Sequence, residues 1–220
     1  MIKKNDFVEI EFVGKANGEV FDTNIKEEAK KAKLEIKEKP LIVCVGQGML
    51  LKAFDEALEK KEINKKYNLK LKPEEAFGKR KRELIKTIPV SVFREKDVEP
   101  QRGMSFLLDN VLVKIIAVSG GRVIVDFNNP LSGKDIEYDF KIKRKIDELE
   151  EKINSLTEIF FKQKLNFEIN DKIVFKIDEK IIPLIEGFKE KFKEMLGKDI
   201  EVKKAEKAEK TPKKNSTGKK

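Results

Sequence analysis

The sequence contains no histidine and no tryptophan, one cysteine, Cys44, and two tyrosines among 220 residues. Without histidine the usual zinc, haem and Ser/His hydrolase sites have no ready construction, and neither a metal nor a cofactor is expected. One cysteine excludes an internal disulfide and suits a reducing, cytoplasmic setting. Met1-Ile2-Lys3-Lys4-Asn5-Asp6 has no apolar leader core, and no apolar run reaches the length of a membrane span, so no membrane partner is expected. Arginine is also scarce, at six of the 49 basic residues. The resulting Lys/Glu-rich balance is of the kind found in proteins adapted to heat.

What is present is enough for a core: 39% of the residues are apolar and 15 are Phe. The formal charge of +9 is unevenly placed, because residues 203–220 hold eight Lys and two Glu, or +6, which leaves +3 on residues 1–202. The body is therefore nearly neutral. An aromatic-free lysine tail of this kind more often adds solubility than binds nucleic acid or the ribosome, so any such contact is expected to be non-specific.

Val8-Glu9-Ile10-Glu11-Phe12-Val13 alternates as a half-buried strand, and Asn17-Gly18 is a strong hairpin signal, so residues 7–22 read as a hairpin. Glu27 to Lys37 reads as either a surface helix or a flexible excursion. Leu41 to Val45 reads as a buried strand, and Gly46-Gln47-Gly48 as a turn that lacks the third glycine and the context of a dinucleotide loop. Met49, Leu50, Ala53, Phe54, Ala57 and Leu58 recur at helical spacing. Tyr67 to Leu71 alternates again and ends in the loop Pro73 to Gly78. From Leu84 to Asp126 short alternating segments predict a small β module, and Ile136 to Ile142 a further strand. The apolar stripe from Ile146 to Phe160 predicts a helix, Phe167 to Ile177 two short strands, Ile181 to Leu196 an amphipathic helix and Asp199 to Val202 a strand. Beyond Lys203 disorder is expected.

Three signatures carry a resemblance: Asn17-Gly18-Glu19-Val20-Phe21-Asp22-Thr23, Val45-Gly46-Gln47-Gly48-Met49-Leu50-Leu51-Lys52-Ala53-Phe54-Asp55, and Pro73-Glu74-Glu75-Ala76-Phe77-Gly78. In this order they resemble the FKBP-type prolyl isomerases, while Gly103-Met104-Ser105-Phe106 and Asn128-Asn129-Pro130-Leu131-Ser132-Gly133-Lys134 look like the SlyD branch. The resemblance implies an α+β fold, an FKBP-like twisted antiparallel sheet around a short helix, interrupted by a small β-rich insert and followed by a small α/β C-terminal domain. The corresponding limits are 1–79 with 128–146 for the catalytic domain, 80–127 for the insert, 147–203 for the C-terminal domain and 204–220 for the tail.

Carried onto this sequence, the resemblance implies a pocket walled by Phe12, Phe21, Val43, Leu50, Leu51 and Tyr138. Phe54 would be its floor, Phe77 its rim, Asp22 its one acidic group and the Leu51 N–H a fixed donor. Val43 and Leu50 can equally be core, and Asp22 can be a turn or capping residue. Tyr usually stands in the family where Phe12 and Phe77 stand here, Trp where Phe54 does, and Phe where Tyr138 does. The loss of the rim hydroxyl at Phe77 predicts weakened catalysis. The expected activity is peptidyl-prolyl isomerisation joined to chaperoning of unfolded or nascent proline-containing polypeptides, with a holdase of weak isomerase activity as the alternative. Ile88, Phe93, Met104, Phe106, Leu108, Pro130 and Leu131 are expected to bind the client, with Met104, Phe106 and Leu108 facing outward. The C-terminal domain is expected to mediate self-association.

Overall fold

The structure is a computed structural model, described for residues 1–36, 39–95, 97–108 and 111–205. Lys37, the end of the expected excursion after the hairpin, lies outside the described residues. The chain packs as two units that part between Lys145 and Ile146.

In the first unit the larger sheet has five strands: β1 (Phe7–Ala16), β2 (Glu19–Thr23), β3 (Leu41–Cys44), β4 (Lys66–Leu71) and β9 (Ile136–Ile146), ordered β2-β1-β9-β4 with β3 also on β1. β1 serves two partners along one edge, pairing β3 through Phe7–Ile10 and β2 through Val13–Ala16, both antiparallel. The period-2 pattern separates the faces of this sheet. Ile10 and Phe12 on β1 and Tyr138, Phe140 and Ile142 on β9 are buried, whereas Glu9, Glu11 and Lys15 meet Arg144, Lys141, Lys143 and Asp139 in a ladder of ion pairs.

Helix α1 (Lys26–Lys31) follows the hairpin, and α2 (Lys52–Ala57) follows β3. The helical spacing predicted from Met49 is realised only from Lys52. Gly46 and Gly48 hold positive φ, and the Asp55 carboxylate accepts both of their N–H groups, at 2.8 and 2.7 Å, which keeps residues 46–51 as a loop.

Between β4 and β9 the chain builds a second sheet from β5 (Ile85–Pro89), β6 (Ser105–Leu108), β7 (Val111–Ser119) and β8 (Arg122–Asp126), ordered β5-β8-β7-β6. A short helix α3 (Val90–Arg94) sits inside this region, which the sequence pattern reads as a β module. Pro89 sets the extended entry at its N-cap, and burial of Phe93 outweighs local propensity. Phe93, Val113, Ile115, Val123 and Val125 form the insert's own core, with Ile88, Phe106 and Leu108 packed against it. The expectation that Phe106 and Leu108 face outward is therefore corrected. Their strand parity turns them inward, Met104 on the same parity is 36% exposed, and Leu107 is the residue that points out, at 69% exposure.

The second unit carries α4 (Leu149–Phe161), β10 (Phe167–Ile169), β11 (Ile173–Ile177), α5 (Ile182–Leu196) and β12 (Ile200–Lys204). β10 is antiparallel and β12 parallel to β11, α5 making the crossover, and Phe160 and Phe161 of α4 pack on Phe188 and Phe192 of α5. Residues 204 and 205, expected to be disordered, are ordered. Lys204 belongs to β12, and the Ala205 N–H donates to the Ile177 carbonyl at 2.8 Å. Residues 206–220 lie outside the described residues.

The two connections to the insert are held side by side by one buried amide. Asn128 accepts from the Lys81 N–H at 2.8 Å and donates to the Lys81 carbonyl at 2.9 Å. Asp126 receives both Arg80, at 2.9 Å from Nε, and the Asn128 amide. Asn128→Ala leaves both Lys81 backbone groups without this partner, and the expected cost is about 1–3 kcal/mol in a urea titration; an unchanged midpoint would show that the amide is not needed to close the crossing.

Candidate active site

The apolar side of the five-stranded sheet gathers rings from separate segments of the chain. Phe12 comes from β1, Phe21 from β2, Phe54 from α2, Phe77 from the loop after β4, and Tyr138 and Phe140 from β9. Tyr138 stacks on Phe54 with centroids 4.6 Å apart and planes 24° apart, and it lies 6.1 Å from both Phe12 and Phe21. Phe77 packs edge-on to Phe21 at 5.9 Å, and Phe12 edge-on to Phe54 at 6.3 Å. Such tilted and offset pairs are the favoured aromatic geometry, so the cluster is self-supporting.

Each ring is fixed by its own segment. Thr23 and Asn24 continue the hairpin by side chain: Thr23 Oγ1 donates to the Phe12 carbonyl at 2.6 Å, Asn24 Oδ1 accepts the Phe12 N–H at 2.9 Å, and Asn24 Nδ2 donates to the Ile10 carbonyl at 2.8 Å. Asp55 lies next to Phe54, is 3% exposed and ties α2 to the glycine loop that carries Leu50 and Leu51. Leu51 is the N-cap residue of α2, and its N–H finds no backbone acceptor among the described residues. Behind Phe77, the turn containing Pro130 and Leu131 gives a Ser132 hydroxyl bond to the Phe77 carbonyl at 3.0 Å and a Gly133 N–H bond to the Gly78 carbonyl at 2.8 Å.

Of the residues predicted for the pocket, Phe12, Phe21, Phe54, Phe77 and Tyr138 come together as one ring cluster, and Val43 is a correction. Val43 is wholly enclosed opposite Val8 on β1, so it is a core residue and offers no surface. Leu50 and Leu51 stay partly exposed. Asp22 caps no helix, since the N-cap of α1 is Ile25. As a residue Asp22 is exposed, yet desolvation raises its carboxyl above the ordinary aspartate range and outweighs the lowering bond from the Thr23 N–H. Burial first and the Asp22 charge second push the Tyr138 phenol up to about 12, which places the two groups in one electrostatic environment.

Sequence reasoning missed Phe140, Thr23, Asn24, Asp55 and Gly14 as parts of this site. Phe140 shares the parity of Tyr138 on β9 and lies 5.1 Å from Phe54, a signal that was available. Gly14 is readable only in three dimensions: a Cβ there would stand 2.9 Å from Tyr138 Cε1 and 3.0 Å from Phe21 Cζ. The insert residues Ile88, Phe93, Met104, Phe106 and Leu108 belong to a different sheet and do not join the ring cluster. Hollows occur elsewhere. One of about 600 Å3 lies over the charged face beside Tyr67 and Asp139, and one of about 620 Å3 lies between Arg80, Arg102, Lys114 and Pro130. Of the gathered rings only Phe140 lines either hollow, the first, and among the described residues there is no cluster of metal-binding side chains.

Gly14→Ala should force the Tyr138–Phe21 contact apart at a cost of about 1–3 kcal/mol, seen as a lower unfolding midpoint and a changed near-ultraviolet dichroism of the rings; an unaltered spectrum would mean that the cluster yields freely.

Comparison with known proteins gives this arrangement relatives. The family described as "FKBP-type peptidyl-prolyl cis-trans isomerase" matches residues 1–94, and "FKBP26, IF domain" matches residues 86–131. The chain is 36% identical over 146 residues to the "Short-type peptidyl-prolyl cis-trans isomerase" of Methanocaldococcus jannaschii, a match covering 65% of this chain and 93% of that protein. It is 32% identical over 107 residues to the "FKBP-type peptidyl-prolyl cis-trans isomerase SlyD" of Haemophilus influenzae, covering 47% of this chain and 56% of the relative. The SlyD of Escherichia coli K12 gives the same identity over the same length, covering 54% of that relative. With its ring-lined sheet and its match across nearly the whole archaeal relative, the chain belongs to the FKBP-type peptidyl-prolyl cis-trans isomerases.

Proposed function

We propose that rotation of X-Pro bonds takes place over the Phe54–Tyr138 stack, between Phe12, Phe21, Leu50, Leu51 and Phe77, with Asp22 as the charged group. The observation that carries this reading is the convergence of these rings, from segments far apart in sequence, beside a carboxylate that desolvation has shifted. The chemistry asks for little else. The barrier of about 18–20 kcal/mol comes from amide resonance, and the twisted state that loses this resonance is the less dipolar one, so an apolar enclosure favours it. Asp22 orients the substrate amide electrostatically, and the Leu51 N–H supplies a fixed donor. No covalent step is required.

The insert acts as a client-holding surface. Support for this lies in the outward face of its sheet, where Leu107 pairs with Leu112 and both are exposed, with exposed Ile124 two strands from Leu107. An extended, unfolded polypeptide laid there raises the local concentration of its prolines near the pocket. This face takes the role expected of Phe106 and Leu108. The proposed partners remain unfolded or nascent proline-containing chains, and the proposed setting is the cytoplasm. No helix among the described residues is long and apolar enough to cross a membrane.

Two expected outcomes test the division. Because desolvation raises the Asp22 carboxyl, its charge is lost on acidification at a pH above the ordinary aspartate midpoint of about 3.9. Peptide isomerisation should fall along that limb, and Asp22→Asn should be slow and flat across it. Ionising a raised carboxyl opposes folding, so Asp22→Asn should not lower the melting temperature near neutral pH; activity and stability lost together would assign Asp22 a structural role. In a second experiment, Leu107→Ser, Leu112→Ser and Ile124→Ser combined should abolish most suppression of client aggregation while short-peptide isomerisation continues at the parent rate, and equal losses in both assays would refute the separation.

A further inference from the structure

The two tyrosines of the chain use their hydroxyls differently. The Tyr67 hydroxyl accepts the Glu62 N–H at 2.9 Å. The Tyr138 hydroxyl has no hydrogen-bond partner among the described residues, although the residue is only 5% exposed. Among those residues no side-chain oxygen is both sealed from solvent and unpaired, so this hydroxyl reaches solvent beside the rings that pack on Tyr138. Phe12, Phe21, Phe54 and Phe77 contribute no donor there. The Tyr138 ring is held by the stack on Phe54, by Phe12 and Phe21, and by the absence of a Cβ at Gly14, so the direction of its O–H bond vector is limited to rotation about one C–O bond.

A donor kept nearly buried and unused in the free protein is costly unless a partner arrives, and the partner that arrives beside these rings is the substrate. We propose that the Tyr138 hydroxyl donates a hydrogen bond to a peptide carbonyl of the bound substrate flanking the X-Pro bond, supplying from the pocket wall the donor that Phe77 lacks at the rim. This rests on the pocket reading given above. The acceptor is a flanking carbonyl, not the rotating one, for a chemical reason. A hydrogen bond to the rotating carbonyl favours the planar, charge-separated amide and so opposes the twist, whereas one to its neighbour anchors the chain while the bond turns. A phenol raised as far as this one keeps its proton at every working pH, so it remains a donor.

Tyr138→Phe removes the oxygen and keeps every ring contact. One neutral hydrogen bond corresponds to a roughly three- to tenfold fall in kcat/KM, expected chiefly in KM, with no loss of melting temperature. Adding Phe77→Tyr to that variant should recover part of the fall by restoring a ring hydroxyl at the rim. An unchanged kcat/KM in Tyr138→Phe overturns the proposal, as does a fall accompanied by a lower melting temperature. Phe54→Leu, assayed in parallel, separates the two levels: if it too leaves kcat/KM unchanged, the pocket assignment itself is wrong; if it lowers kcat/KM and Tyr138→Phe does not, the donor alone is rejected. On the unaltered chain with isotope-labelled tyrosine ζ-carbons, saturation with a proline peptide should shift the Tyr138 resonance and leave Tyr67 in place. Equal shifts, or none, would overturn the donor role without any variant.

Discussion

The contact between Phe54 and Tyr138 joins helix α2 to the sheet, and much of the surrounding structure serves to keep those two rings stacked. Phe54 is placed by Asp55, whose carboxylate holds the glycine loop and with it the start of α2. Tyr138 is placed by the pairing of β9 with β4, where it stands opposite Leu69, and by the missing side chain at Gly14. A pocket built from stacked rings needs rigid backs more than reactive groups. The buried Asp55 carboxylate supplies that rigidity next to Phe54, and side-chain bonds from Thr23 and Asn24 supply it on β1 between the end of the β3 pairing at Ile10 and the start of the β2 pairing at Val13.

The two faces of the same sheet follow different physics. On one side aromatic rings exclude water. On the other, β1 and β9 exchange Lys15–Asp139, Lys141–Glu11, Lys143–Glu11 and Arg144–Glu9 pairs, with Asn68 also bridging Glu137 and Asp139. Taken singly, such exposed pairs are worth a few tenths of a kcal/mol to about 1 kcal/mol. Linked as a network they lock the register of the strand that bears Tyr138, and the falling cost of ion desolvation makes them more useful as temperature rises.

Alternation and glycine turns made the hairpin, β3, β4, β9 and the C-terminal β-α-β segment readable, because in each the apolar period agrees with the face that becomes buried. The pocket rings were readable through the family resemblance, since nothing in a lone Phe distinguishes a wall from a core residue. What failed depended on three-dimensional context. Phe106 and Leu108 were assigned outward, yet the sign of an alternating pattern is undetermined when both parities are apolar, as in Met104-Ser105-Phe106-Leu107-Leu108, and only the position of Phe93 decides which face is inside. The start of α2 was misplaced because Met49 and Leu50 continue the helical spacing while Asp55 holds the preceding glycines out of it. Gly14 gave no local signal, because its reason lies on strands β2 and β9.

The crossing at Lys81 and Asn128 makes the insert, in topological terms, a very long loop. Its entry and exit face each other across hydrogen bonds of 2.8 and 2.9 Å, and its core residues all lie between them. A scaffold with such neighbouring ends accepts cargo of almost any length, because lengthening what lies beyond a closed neck adds little entropic cost. The same neck is therefore a grafting point. Exchanging one small domain for another there leaves the contacts of the ring cluster untouched, so selection can alter the insert and the ring-bearing sheet independently.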